Sequence, residues 1–210
     1  MKYLSFLFAL LISAFLSNAQ PVPTKDTTKT AHKIIFTAVE VEPSFPGGVA
    51  AFLQYINTNL HYPEAAKLLG INGKVNVSFW VDKTGAVVDV NARQGLGAGC
   101  EYEAKKVVSN SPRWRPGIQN GRTVKVSYTV DVTFDKTKKK VAFKELKDSD
   151  YGFVFNINGA LYTLDEAQTQ LGDTFRQNKI ESAELFYNPD NDPKFAITGK
   201  KEVYLVKIKS

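Results

Sequence analysis

Alternating and helically spaced apolar positions divide the chain into recognisable elements. Ile34 to Val41 is β-branched and apolar and predicts a first strand. Pro46-Gly47-Gly48 ends it, and Phe52, Leu53, Ile56 and Leu60 then recur at helical spacing. Tyr62-Pro63 stops that helix, and Pro63 opens a second one running to Leu69 and ending at Gly70. Val75, Val77, Phe79 and Val81 alternate with polar residues, Asp82-Lys83-Thr84-Gly85 predicts a turn, and Ala86 to Asn91 returns as a hairpin partner. Glu101 to Asn110 predicts a helix with acidic residues in its first turn, where the helix dipole favours them. Ser111 to Gly121 reads as a loop, and Val124 to Phe134 as a last strand. Beyond it, Tyr151 to Ile157 alternates as a strand and Asn158-Gly159 is a turn. Thr163 with Glu166 three residues on predicts a capping box for a helix over Leu164 to Leu171. Ile180 to Tyr187 and Glu202 to Lys209 predict two further strands. The fold class is α+β, with a β-α-β-β module at the C-terminal end.

The only long apolar run is N-terminal. Lys2 precedes Leu4 to Leu16, and the small residues Ser17 and Ala19 follow. This pattern predicts a signal peptide over residues 1–19, cleaved after Ala19. The run is shorter than the ~20 apolar residues of a membrane span. The expected organisation is then a polar leader over 20–33, a domain over 34–135, a Lys-rich linker over 136–150, and a small α+β module over 151–210. Localisation in the periplasm follows from the signal.

Composition narrows the classes. Fourteen Phe, nine Tyr and two Trp in 210 residues provide for a real core, and a single Cys excludes a disulfide scaffold. The net charge of +6 is concentrated between Lys136 and Lys147, where six lysines face one acidic residue, Glu145. Such a stretch suits a solvated linker or contact with an anionic membrane surface. Export removes nucleic acid as its partner.

Tyr62-Pro63, Gly73-Lys74-Val75, the Val81 to Gly85 turn, Arg113-Trp114-Arg115-Pro116-Gly117 and the closing strand, taken in order, resemble the TonB C-terminal domain over roughly residues 38–135. The resemblance implies two helices on a three-stranded antiparallel sheet. It also implies pairing with the TonB-box segments of TonB-dependent outer-membrane transporters, by strand addition at the edge of the last strand. The partner-binding residues are then Arg122, Thr123, Val124, Lys125, Val126, Ser127, Tyr128 and Thr129, and the structural anchors Tyr62, Pro63, Trp114, Pro116 and Gly117. Strand addition draws its affinity from main-chain hydrogen bonds, so it needs an open edge rather than particular side chains. The alternative is a scaffold protein that homodimerises through that same edge. A cleavable signal and a short leader depart from a motor protein with a membrane helix and a long Pro-rich span. In the C-terminal module, Lys179 to Leu185 and Val203 to Ile208 resemble pieces of the plug domain of TonB-dependent transporters.

Other chemistry is sparse. Gly95-Leu96-Gly97-Ala98-Gly99 lies between a strand and a helix, but Cys100 stands where a dinucleotide loop wants glycine, and Glu101 and Glu103 oppose a phosphate. Asn188, Asp190 and Asp192 alternate like calcium ligands, yet Pro193 occupies the place of the turn glycine. Cys100 reads as a packed residue, and His32 and His61 are too far apart in sequence for a zinc motif. No cofactor and no enzymatic activity are expected.

Overall fold

The computed structural model describes residues 39–93, 95–135 and 140–209. The expected signal peptide, the expected leader with His32, most of the expected first strand, and Lys136, Lys138 and Lys139 lie outside the described residues.

The first part of the chain builds α1 (Gly48–Asn59), α2 (Glu64–Leu69), β1 (Gly73–Val81), β2 (Val87–Ala92) and α3 (Cys100–Ser109). It continues with β3 (Gly117–Gln119), β4 (Arg122–Val124) and β5 (Val126–Phe134). Helix α1 buries Phe52 and Ile56 but leaves Leu53 exposed. Helix α2 starts one residue after Pro63 and is closed by Gly70 in the left-handed region. The β1–β2 turn is fixed by Asp82, whose carboxylate accepts from the Thr84 and Ala86 backbone N–H groups and from the Thr84 hydroxyl. These three strands form an antiparallel sheet of order β2-β1-β5. Its inner face carries Val75, Val77, Phe79, Val81, Val132 and Phe134, all buried.

The last strand is shorter than the alternation of Val124 onward implies. Arg122 to Val124 is diverted into a separate hairpin with β3, and Lys125 separates it from β5. The cause is local: Asn120 and Gly121 both have positive φ, the conformation of a two-residue hairpin turn.

The second part begins with β6 (Lys140–Ala142) and α4 (Phe143–Asp148), then β7 (Gly152–Ile157), β8 (Ala160–Tyr162) and α5 (Leu164–Leu171). Strands β9 (Thr174–Arg176), β10 (Ile180–Leu185) and β11 (Val203–Ile208) complete it. A four-stranded sheet runs β10-β11-β7-β8, with β11 parallel to β7 and antiparallel to its other neighbour. The capping box forms: Thr163 accepts from the Glu166 N–H, and the Glu166 carboxylate accepts from the Thr163 N–H. Where a Lys-rich linker is expected, residues 140–148 form β6 and α4, and Val141, Phe143 and Leu146 are fully buried. The surrounding lysines conceal these three apolar positions in a composition-based reading. Phe143 packs on Phe155 and Phe175 at ring distances of 5.4 and 5.5 Å.

The two sheets share one hydrophobic core. They also meet through backbone, where the Ala98 N–H donates to the Ala183 carbonyl at 2.6 Å. Gly97, at φ +74°, lies so close to Ala183 that a β-carbon would overlap its carbonyl oxygen.

Candidate functional site

The candidate site is the outer edge of β5. Strand β1 pairs with β5 without interruption from Gly73↔Phe134 to Val81↔Val126. Among the described residues no strand pairs with the other side of β5.

The direction of its backbone groups follows from one hydrogen bond. The Arg93 N–H donates to the Asn76 carbonyl at 2.9 Å, so Asn76 faces β2. Successive residues of a strand present their N–H and C=O to opposite sides, so Val75 and Val77 face β5. Their partners Val132 and Val130 face back toward β1. Ser127, Thr129, Asp131 and Thr133 therefore present their N–H and C=O groups to the open edge. Their side chains are exposed, while Val132 and Phe134 on the alternate positions are buried and Val126, Tyr128 and Val130 half-buried.

Of the expected contact residues, Val126, Ser127, Tyr128 and Thr129 thus lie on the edge strand, and Arg122, Thr123 and Val124 lie on the β3–β4 hairpin. Lys125 lies between the two. Its Nζ pairs with Asp89 at 2.6 Å and sits 5.0 Å above the Trp80 ring, on the solvent face of the sheet. Asp131 and Thr133, absent from the expected set, continue the open edge.

The support behind this edge is aromatic. Trp114, 7% exposed, is the hub: Phe52, Tyr128, Phe79 and Phe45 lie 4.8, 5.4, 5.6 and 5.7 Å from it. Arg113 and Arg115 on either side are exposed, and Arg113 donates to the Thr84 hydroxyl oxygen at 3.1 Å. The Tyr128 hydroxyl donates to the Pro43 carbonyl at 2.9 Å, and burial, followed by the nearby Glu42 carboxylate, raises its pKa. The strap at Pro43 is held to the loop by the Val41–Ile118 and Ser44–Arg115 bridges. Gly117 follows Pro116, and a β-carbon there would press on the Val126 and Pro43 side chains. Tyr62 donates to the Ile71 carbonyl and packs edge-on against Phe134 at 5.4 Å. Burial pushes its hydroxyl up to about 12. Pro63 forms the N-terminal boundary of α2.

Residues 58–135 match the family model described as Gram-negative bacterial TonB protein C-terminal. This part of the chain is similar to a TonB C-terminal domain. Helices α2 and α3 and strands β1, β2 and β5 all fall within the match. Two solution structures of the Helicobacter pylori TonB C-terminal domain, residues 194–285 and 179–285, are similar at 19% and 23% identity. They cover 42% and 43% of this chain and 94% and 88% of their own, with TM-scores of 0.31 and 0.28. No curated protein matches the chain. The TonB C-terminal domains of the matched family are non-enzymatic interaction domains.

The remaining sequence candidates find structural roles outside this TonB-like edge. The Gly95–Gly97 loop holds an internal anion: the Glu101 carboxylate accepts from the N–H groups of Gly95, Leu96 and Gly97 at 2.7–3.0 Å. Cys100 is fully buried, and burial, then the Glu101 charge, pushes its thiol up to about 12. Asn188 closes a turn through the backbone of Asp192. Among the described residues no cluster could hold a metal ion, and no helix is long and apolar enough to cross a membrane. Lys144 and Lys147 of the basic stretch pair with Asp148 and Asp165 at 2.7 and 2.6 Å.

Proposed function

We propose that the protein is an exported TonB-like module that captures the TonB-box segment of an outer-membrane transporter by adding it as a strand to β5. The observation that supports this reading is the open edge itself, with Ser127, Thr129, Asp131 and Thr133 directing main-chain groups outward from an unbroken nine-pair ladder. An extended peptide recognised through its backbone needs this and little else. The rigid aromatic layer under Tyr128 holds the edge in an extended form, which lowers the ordering cost of binding. Export through the N-terminal signal places the module in the periplasm, and envelope material should begin at Gln20.

The test is proline substitution. Proline at Ser127 or Thr129 removes an edge-facing N–H and obstructs the added strand. Affinity for transporter N-terminal peptides is measured by titration calorimetry, with a thermal melt of each variant. Loss of binding in a folded Ser127→Pro or Thr129→Pro variant is expected, and Ser127→Ala should bind as the parent does. Folded proline variants that bind normally would refute strand addition. A concentration-dependent dimer that dissociates in the same variants would favour the scaffold reading.

A further inference from the structure

A second concave surface lies away from β5. A cavity of about 730 Å³ opens between the start of α2, the start of α3 and the end of β10. Its charged lining is carboxylate, and His61 also lines it. Glu64, Glu101, Glu103, Glu184 and Glu202 contribute to it, and among the described residues no lysine or arginine does, in a chain whose net charge is +6. Two of these carboxylates have a counter-ion on their own helix: Glu64 pairs with Lys67 at 2.7 Å and Glu103 with Lys106 at 3.6 Å. Glu101 and Glu202 accept hydrogen bonds, from the loop N–H groups and the Tyr204 hydroxyl respectively. Glu184 has no ion pair among the described residues and is exposed.

Exposed apolar side chains also line it. Tyr102, Leu185 and Tyr187 line it at 67%, 44% and 81% exposure. One wall is a sheet edge. The Ala183 carbonyl points away from β11 to accept from Ala98, whereas the Phe186 N–H donates to Val203 on the opposite side. By alternation the N–H and C=O of Leu185 also point outward, into the groove. No strand among the described residues pairs with this edge of β10.

We propose that this groove docks an extended, lysine- or arginine-bearing segment of a partner protein, which pairs with the β10 edge beyond Ala183. The aliphatic stems of such side chains would cover Tyr102, Leu185 and Tyr187 while their charged ends meet the glutamates. Charge decides the occupant. A second copy pairing β10 with β10 would set two glutamate-lined grooves against each other, whereas a basic segment neutralises one. This site is independent of the β5 edge.

The probe is a fluorescein-labelled octapeptide, Lys-Val-Lys-Thr-Lys-Val-Lys-Thr, titrated with the full chain and followed by anisotropy. A matched peptide carrying glutamate for each lysine is the control. The lysine peptide should bind and the glutamate peptide should not. Glu184→Lys should weaken binding about tenfold, and rising salt should weaken the parent complex. Leu185→Pro, checked for folding by circular dichroism, should bind more weakly still. Thr129→Pro, on the other sheet, should leave this affinity unchanged whatever it does to transporter peptides. Equal affinity for the two peptides, or an unchanged affinity in Glu184→Lys, would overturn the proposal. So would displacement of the peptide by self-association of the chain.

Discussion

The Trp114 N–H donates to the Gly85 carbonyl at 2.8 Å, and the Gly85 α-carbon in turn faces the Trp114 carbonyl with no space for a β-carbon. Gly85 sits at φ +81° at the end of the β1–β2 turn. Strain and overlap act together there, so Gly85→Ala should cost upwards of about 3 kcal/mol by urea denaturation. Lys83→Ala in the same turn should change stability by less than about 0.5 kcal/mol.

Removing the ring itself tests the aromatic hub. Trp114→Ala should destabilise by about 3–5 kcal/mol, because four neighbouring rings cannot collapse fully into the space it leaves. Trp114→Phe should recover part of that loss. A stability close to that of the parent in Trp114→Ala would mean that the ring contributes little to the core.

Cys100 should be chemically silent. Thiolate is the reactive form, and burial holds this thiol up to about 12. Iodoacetamide at pH 8 should leave the folded protein unlabelled and modify it fully in urea, as read by intact mass. Rapid labelling of native protein would contradict the buried placement.

The capping box gives a pH dependence of defined sign. The Thr163 N–H, with Lys194 in support, holds the Glu166 carboxyl below the ordinary carboxylate range. A lowered folded-state pKa adds stability above the unfolded-state value, and that stability disappears as pH falls through the folded-state value. The stability difference between the parent and Glu166→Gln should therefore be present at neutral pH and close below pH 4.5, the ordinary value. A difference that persists into strong acid would argue against this origin.

Elements with local signatures were legible in the sequence. The β1–β2 hairpin follows from strict alternation and an Asp-x-Thr-Gly turn, α5 from its capping box, and the end of α2 from Gly70. The β3–β4 hairpin had a signal too, Asn120-Gly121, hidden inside a stretch that otherwise reads as loop. Residues 140–148 were obscured for a different reason: only tertiary packing distinguishes Val141, Phe143 and Leu146 from the lysines around them. The open edge could be placed on the last strand, but not its outward-facing residues. Those depend on the Arg93–Asn76 hydrogen bond and on the β1–β5 register, both long-range. The groove beside β10 draws its lining from segments more than a hundred residues apart, which no local pattern connects.

The order of the second sheet has a consequence for how the chain is made. Strand β11 lies between β10 and β7, so it alone joins the two in this sheet. Until residue 208 is available, β7 with β8 on one side and β10 on the other have no hydrogen-bonded link. The sheet therefore stays in two separate pieces until β11 has been made, whatever the order in which its other pairings form.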